Sequence, residues 1–283
     1  MRAVTRHPES DKAKALAAAG ADVVAADADD PPSVAKAFAG AHGAFCVTNF
    51  WEHLDPEREI AQARALANAA RAAKVGHVIW STLEDTRKWV PVEDGRMPTL
   101  MGRFKVPHFD AKGESDALFQ QPGMPTTLLH TSFYWDNVIH FGMGPRRQAD
   151  GSLAFMLPMG HARLAGIAAE DIGKCAYGVF KAGPEYTGKT VGIAGELLTG
   201  EQMAASLSKA LGQPVTYVAV PHDVYRGLGF PGAEDLGNMF QMYVEFEKEF
   251  ERSRDVGLAR RLNPELQTFD MWLARNKERI PIG

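Results

Sequence analysis

His108 and Lys112 are the residues whose types and spacing point most directly to proton chemistry. They lie four positions apart in a helical stretch, so their side chains project from one helix face about one turn apart. A histidine exchanges protons near neutral pH and can act as a general acid. A solvated helix face without chemistry is the alternative that this pair alone leaves open. Ser81, at the end of an apolar run, is a further candidate proton donor.

Polar and aromatic residues also follow the apolar runs that we predict to be strands. Arg6, Asp27 and Ser81 each end such a run, and Thr48-Asn49-Phe50-Trp51 follows another. Tyr134-Trp135-Asp136-Asn137 follows a later run. Ligands of open α/β sheets bind beyond the carboxyl ends of the strands. These residues are therefore the candidates for a ligand site, and core packing is the alternative for the aromatic ones.

Short apolar runs alternate with helical stretches through the first half of the chain. Residues 1–6 end in the turn signal His7-Pro8, and an Ala-rich helix follows with Ser10 as its expected N-cap. The alternation continues through a long amphipathic helix over residues 56–74 to the run His77-Val78-Ile79-Trp80-Ser81. Alternating units of this kind predict parallel strands joined by right-handed crossovers. The expected fold is a doubly wound, Rossmann-like α/β sheet.

The pattern changes after Ser81. Residues 82–107 form a loop longer than a simple connector, which is typical of a binding lid. Beyond residue 145 we predict weaker strands at 153–157, 190–193 and 215–220, and helices over 169–181, 200–211, 233–250 and 268–278. We therefore expect a dinucleotide-binding domain over residues 1–145. Residues 146–283 form a smaller, mainly helical part that is interleaved with the sheet and binds a substrate or a partner.

The glycine-rich phosphate cradle of nucleotide-binding α/β domains has no counterpart in this sequence. The run over residues 1–6 resembles the second strand of such a domain, and the first strand and its turn are missing. We expect residues 1–6 to be an inner strand, so the chain should rearrange, pair its second and fourth strands directly, or be unstable. We also expect that the natural start lies upstream of Met1 and that cofactor binding is compromised in this chain.

Arg6 indicates which dinucleotide the fold would take. It ends the predicted second strand, where an acidic residue would bind the ribose 2′-hydroxyl of NAD and an arginine can bind the 2′-phosphate of NADP. We therefore expect NADP(H), with NADPH preferred over NADH. Asp27 ends the third strand and either contacts the adenine or caps the next helix. Asn49 and the neighbouring backbone could contact the nicotinamide ribose. Asn137 is a further candidate for the ligand site, and the alternative is that it caps a helix.

Composition limits the possible partners. The chain has 283 residues and a formal net charge of −4, which gives no electrostatic reason to expect nucleic acid or an anionic membrane surface as a partner. No apolar run approaches the roughly 20 residues needed to span a bilayer, so we expect a cytoplasmic protein. Cys46 and Cys175 lie in apolar segments and are expected to be buried and unpaired. We expect no metal site.

Together these motifs resemble the NmrA-like family of atypical short-chain dehydrogenase/reductase folds, and most closely its NADPH-sensor branch. The resemblance covers essentially the whole chain. It implies an NADP(H)-binding protein that often lacks turnover and acts as a redox-sensing regulator through a protein partner, with a homodimer as a further expectation. The cofactor-lining positions that it implies are Arg6, His7, Ser10, Asp27, Ala28, Thr48, Asn49, Phe50, Lys112, Tyr134, Trp135, Asp136 and Asn137.

Two functional classes stay open. His108 stands where short-chain dehydrogenases have the tyrosine of a Tyr-x-x-x-Lys pair, whose lysine binds the nicotinamide ribose. The absent tyrosine favours a regulator with little or no turnover. The alternative is an NADP-dependent oxidoreductase of a quinone or carbonyl substrate, in which His108 or Ser81 supplies the proton and Lys112 assists.

Overall fold

The computed structural model describes residues 1–282 as alternating strands and helices followed by a helix-rich second half. The strands are β1 (Arg2–Thr5), β2 (Asp22–Ala25), β3 (Gly43–Cys46), β4 (His77–Thr82), β5 (Thr126–His130), β6 (Phe133–Tyr134), β7 (Arg146–Arg147), β8 (Leu153–Leu157), β9 (Leu164–Ile167), β10 (Thr190–Gly192), β11 (Glu196–Leu198) and β12 (Val215–Ala219). The helices are α1 (Asp11–Ala18), α2 (Pro31–Phe38), α3 (Pro56–Ala72), α4 (Pro107–Phe119), α5 (Asn137–His140), α6 (Ala169–Lys181), α7 (Gly200–Leu211), α8 (His222–Arg226), α9 (Ala233–Glu245), α10 (Glu247–Ser253), α11 (Val256–Leu262) and α12 (Phe269–Asn276).

A four-stranded parallel sheet in the order β10-β5-β4-β3 carries the site. Alternate residues of β4 face opposite layers of helices, as the period of two of a strand requires. Trp80 packs with α2, α3 and Phe119 of α4, whereas Ile79 packs with α6 and α11. Every residue of β4 is buried. Helices thus cover both faces, and the prediction of a doubly wound α/β fold is confirmed.

Strands β1 and β2 form a separate parallel pair. They align Arg2 with Asp22 through Thr5 with Ala25, and β3 pairs only with β4 among residues 1–282. Of the three outcomes expected for the missing first strand, direct pairing of the predicted second and fourth strands is wrong, because no ladder joins β1 to β3 in the described residues. Nor is β1 an inner strand, since it has a single hydrogen-bonded neighbour. Val4 of β1 is 50% exposed.

The second half is built around two small sheets, β11-β9-β6 and β12-β8-β7, and helices α6–α12. Its largest apolar cluster also contains residues from the first half, such as Phe109 and Trp135. The helix predicted over 233–250 is two helices, α9 and α10. The backbone leaves helical angles at Phe246, whose ring stacks on Trp89 with centroids 5.6 Å apart.

Helix α4 lies close to the loop that follows β4. A Cβ on Gly113 would come within 2.5 Å of the backbone nitrogen of Asp85, so only glycine fits this approach. Asp110 fixes the same contact from the other side, because its carboxylate accepts from the backbone N–H and hydroxyl of Thr86 at 2.8 and 2.6 Å. The start of α4, where His108 lies, is therefore held firmly against the strand ends.

Cys46 and Cys175 are both buried and free, as the sequence predicts. Burial raises the pKa of each thiol to about 12, so neither is a reactive thiolate near neutral pH. Across residues 1–282, no helix is both long and apolar enough to cross a membrane. Nor does that part of the chain contain a cluster of three or more His, Cys, Asp or Glu that could hold a metal ion.

Candidate functional site

A cavity of about 420 Å³ opens beyond the carboxyl ends of β3, β4 and β5. The loop after β3, the start of α4, the segment after β5 and one face of α9 surround it. Eight residues predicted from the sequence line it, namely Thr48, Asn49, Phe50, Ser81, His108, Lys112, Tyr134 and Asn137. The rule that ligands of such sheets bind at the strand ends thus brings most of the candidate residues to one place.

The opposite wall of the cavity comes from residues far along the sequence. Leu236, Met239 and Tyr243 of α9 line it, together with Phe141 and Met143. The Met- and aromatic-rich stretch of α9 was a signal for this wall, although core packing is the more common role of such a stretch. Burial raises the pKa of the Tyr243 hydroxyl, and it also raises that of Tyr134, so both phenols stay protonated near neutral pH.

Lys112 is held by a buried carboxylate that the sequence analysis missed. Its ammonium group lies 2.8 Å from Glu59 Oε1 and donates to Thr48 Oγ1 at 2.8 Å and to the Thr48 carbonyl at 3.1 Å. The Thr48 hydroxyl in turn donates to Glu59 Oε1 at 2.6 Å. Glu59 is fully buried in α3, so the charge of Lys112 is largely neutralised within the protein. No local motif marks Glu59, because its role depends on the packing of α3 against α4.

His53 faces the other oxygen of that carboxylate. Its Nδ1 accepts from the backbone N–H of Asp55 at 3.1 Å, so the neutral ring carries its hydrogen on Nε2. Nε2 lies 3.6 Å from Glu59 Oε2, and neither of these two buried atoms has a closer partner. A small movement of the ring would convert this contact into a hydrogen bond. Glu59 is thus the centre of a cluster that fixes the amino group of Lys112 at the end of β3.

His108 is held by Asp235, the second partner that the sequence analysis missed. His108 Nδ1 lies 2.5 Å from Asp235 Oδ1, and the backbone N–H of His108 donates to Asp235 Oδ2 at 3.1 Å. Both side chains are buried. The Trp51 ring packs against the imidazole with centroids 4.8 Å apart. The start of α4 and the start of α9 therefore meet at one histidine on the cavity wall.

Comparison with models of known protein families identifies the family to which this chain belongs. The model of the NmrA-like family matches residues 1–273. The chain belongs to the NmrA-like family.

Relatives of this NmrA-like protein include both enzymes and regulators. It is 28% identical to an NAD(P)H azoreductase of Xenophilus azovorans, over 78% of this chain and 70% of the azoreductase. It is 30% identical to the nitrogen metabolite repression protein nmrA of Emericella nidulans, over 67% of this chain and 52% of that protein. The crystal structure of the negative transcriptional regulator NmrA in complex with NAD superimposes with a TM-score of 0.78 at 25% identity, covering 96% of this chain and 86% of that one.

The remaining predicted residues of this NmrA-like protein lie outside the cavity lining. Arg6 does not line the cavity, but its guanidinium forms an ion pair with Glu52, which does. Ser10 caps α1 by accepting from the backbone N–H of Ala13. The Asp27 carboxylate accepts from the backbone N–H of Asp29. His7 and Ala28 follow β1 and β2 and lie near these residues in sequence, away from the cavity lining.

Trp135 and Asp136 also differ from their neighbours in the sequence motif. Trp135 is 1% exposed and packs against Phe269, so its ring belongs to the core and not to the cavity lining. The Asp136 carboxylate accepts from the backbone N–H of Ala169 at the start of α6. Phe133 and Tyr134 of β6 both line the cavity, whereas the Trp135 ring points into the core. Tyr134 therefore faces the cavity while Trp135 does not.

Proposed function

We propose that this NmrA-like protein binds NADP(H) at the carboxyl ends of its strands and acts as a redox-sensing regulator. The observation that carries the proposal is the convergence of Thr48, Asn49 and Lys112 on one cavity, with Arg6 one ion pair away. Hydroxyl, amide and ammonium groups of this kind suit the ribose and carboxamide of a nicotinamide nucleotide, and a guanidinium suits a phosphate. The NmrA relative crystallised with NAD supports the same class of ligand.

The residues present fit the two ends of the dinucleotide better than its centre. Arg6 and Glu52 are both substantially exposed, with side-chain exposures of 39% and 45%, so a phosphate can replace the carboxylate at the guanidinium. Lys112, Thr48 and Asn49 would bind the nicotinamide half. Among residues 1–282, no glycine-rich turn between β1 and β3 offers backbone N–H groups to a pyrophosphate. The proposal therefore includes weak binding by this chain.

The regulatory part of the proposal rests on the histidine that stands at position 108 in place of the tyrosine of a Tyr-x-x-x-Lys pair. The position four residues before Lys112 is a histidine whose ring is engaged by Asp235, and the Lys112 ammonium is engaged by Glu59. A phenol activated by a free lysine, as in the Tyr-x-x-x-Lys pair, is therefore not available at this position. The two phenols that line the cavity, Tyr134 and Tyr243, have raised pKa values because they are buried.

A second function, NADP-dependent reduction of a quinone or carbonyl compound, is favoured by the cavity itself. A regulator that binds only the dinucleotide has no need for the apolar wall formed by Leu236, Met239 and Phe141. A bound nicotinamide would supply the hydride in such a reaction. The chain's own contribution would be to exclude water with this wall and to hold a proton on His108 or Ser81 near the acceptor oxygen.

Titration with NADPH and NADH tests the binding proposal. We expect wild-type protein to bind NADPH more tightly than NADH, and Arg6→Ala to lose at least about tenfold in NADPH affinity, or about 1.4 kcal/mol, while NADH binding stays unchanged. Glu52→Gln should tighten NADPH binding, because the competing carboxylate is removed. Arg147→Ala, which removes an exposed arginine of β7, is the control. An equal preference in wild type and Arg6→Ala would contradict the proposal.

Turnover separates the two functions. NADPH oxidation is followed with a panel of quinones and carbonyl compounds, using wild type and His108→Ala. Binding of NADPH without turnover on any member of the panel supports the regulator. Turnover that His108→Ala abolishes, with NADPH affinity retained, supports the reductase instead.

A further inference from the structure

Asp235 contacts His108 at two atoms. One carboxylate oxygen meets the ring Nδ1 at 2.5 Å, and the other accepts from the backbone N–H of the same histidine at 3.1 Å. The side chains of His108 and Asp235 are 8% and 6% exposed, so water competes little for either bond. Two contacts between one carboxylate and one residue fix both the position and the rotation of the imidazole ring.

The contact with Asp235 determines which ring nitrogen of His108 carries hydrogen. An ionised carboxylate can only accept hydrogen bonds, so Nδ1 is the donor and carries a hydrogen in both charge states of the ring. Nε2 consequently has a free lone pair in the neutral ring and an N–H in the imidazolium. It has no hydrogen-bond partner within residues 1–282, and the ring lines the cavity. The charge state of His108 therefore decides whether the cavity wall presents an acceptor or a donor.

The walls around His108 suit a flat, conjugated molecule. Trp51 and Phe50 have ring centroids 4.8 and 5.8 Å from the imidazole, and Phe141 packs edge-on against Trp51 at 6.0 Å. Trp51 also lies against Gly232 at the start of α9, where a Cβ would come within 2.7 Å of the ring. The aromatic rings, His108 and α9 are thus packed as one unit, and aromatic faces favour planar ligands.

We propose that Asp235 is a positioning residue that makes His108 Nε2 a pH-dependent recognition group for planar conjugated oxygen compounds. The imidazolium donates to the carbonyl oxygen of a quinone, and the neutral ring accepts from the hydroxyl of a phenol or hydroquinone. This proposal uses the cavity of the proposed function and adds the class of second ligand.

Other titratable groups face the same cavity. Lys112 on α4 is paired with Glu59, and Glu52, in the segment between β3 and α3, is paired with Arg6. Tyr134 and Tyr243 remain neutral phenols because burial raises their pKa values. His108 is the cavity-lining imidazole whose two charge states offer opposite hydrogen-bonding roles to a ligand.

Two probes of similar size and opposite hydrogen-bonding character test the proposal without any dinucleotide. They are 2-methyl-1,4-naphthoquinone, which only accepts, and 2-naphthol, which donates. Calorimetric titration across a pH series should show the quinone binding more tightly as pH falls and 2-naphthol binding more tightly as pH rises. Failure of both probes to bind, or the same pH trend for both, would overturn the proposal.

Asp235→Asn is the decisive variant, and Glu234→Gln is its matched control. An amide can accept from Nδ1 or donate to it, so the role of Nε2 is no longer fixed and both pH trends should shrink to less than about twofold. Glu234 is the exposed neighbour in the same helical turn, and its loss removes the same charge without touching His108. Opposite trends of full size in Asp235→Asn would refute the role of Asp235.

Nitrogen-15 NMR of the histidine rings provides a readout that is independent of ligand binding. The His108 signals, assigned by their loss in His108→Ala, should show the hydrogen on Nδ1 in the neutral ring of the wild type. A neutral ring with its hydrogen on Nε2 would overturn the proposal even if Asp235→Asn does not fold. If the wild type does not bind NADPH but the two probes still show opposite pH trends, only the proposed function is refuted.

Discussion

Arg254 forms a deeply buried ion pair with Glu84, and its removal tests how the two halves of the chain are held together. Its guanidinium meets both oxygens of Glu84 at 2.5 and 2.9 Å and also donates to the Thr131 carbonyl at 2.7 Å. The Arg254 side chain is 1% exposed and that of Glu84 is 10% exposed. The pair joins the end of α10 to the loops that follow β4 and β5. We predict that Arg254→Met destabilises the protein strongly.

The size of the loss follows from the carboxylate that remains. Breaking a buried pair by removing one partner costs about 3–5 kcal/mol, because the other charge stays buried without compensation. For a chain of this length, 1 kcal/mol shifts the melting temperature by about 2–4 °C. Arg254→Met should therefore lower the melting temperature by roughly 6–20 °C. The double variant Glu84→Leu/Arg254→Met should recover most of this loss, because an apolar pair of similar volume is often neutral or stabilising.

Thermal and urea unfolding measure these changes. Arg163→Met is the control, because Arg163 forms a comparable pair with Glu251 at 2.6 Å but is 51% exposed. An exposed pair contributes about 0–1 kcal/mol, so this variant should lose little stability. The reasoning is refuted if Arg254→Met loses no more stability than Arg163→Met, or if the double variant is less stable than Arg254→Met alone.

Three further predictions concern buried groups near the site. Burial alone would raise the pKa of Glu84, but its cationic partners hold the pKa well below its usual 4.5. The stability that this carboxylate contributes should therefore be lost as pH falls below 4.5, which acid unfolding curves would show. Burial raises the pKa of Asp116 from 3.8 to about 6, so the folded protein loses stability as pH rises through that range and the buried carboxyl becomes charged. Asp116→Asn keeps an acceptor for the Thr82 hydroxyl and should unfold at a higher temperature than wild type at pH above about 7. Gly113→Ala should destabilise the protein by about 1–3 kcal/mol and lower the melting temperature by about 2–12 °C, because its Cβ would overlap the backbone of Asp85. An unchanged melting temperature would contradict that contact.

The sequence carries enough local information to place the main elements. The predicted helices over 169–181 and 200–211 coincide with α6 and α7, and the strand ends identify most of the cavity lining. Amphipathic period, caps and turn residues are local signals, and these elements depend on little else. The sheets β11-β9-β6 and β12-β8-β7 were not predicted as units, because their short strands pair across long stretches of chain.

The partners of the site residues could not be predicted from the sequence. Asp235 lies 127 positions after His108, and nothing in the first turn of α9 distinguishes its carboxylate from the exposed Glu234 beside it. Glu59 presents the same difficulty, since one buried glutamate in an Ala-rich helix looks like any solvated one until α3 is packed against α4. Pairing across such distances is determined by tertiary packing, which a pattern with a period of two or 3.6 does not encode.

The contact between His108 and Asp235 joins two parts of the chain that are synthesised at different times. Every strand within residues 1–282 is complete by Ala219, before Asp235 has been synthesised. On the ribosome, β3, β4, β5 and β10 are therefore synthesised before the carboxylate that binds the imidazole of His108. The hydrogen bond between His108 Nδ1 and Asp235 can therefore form only after α9 has emerged from the exit tunnel, late in translation.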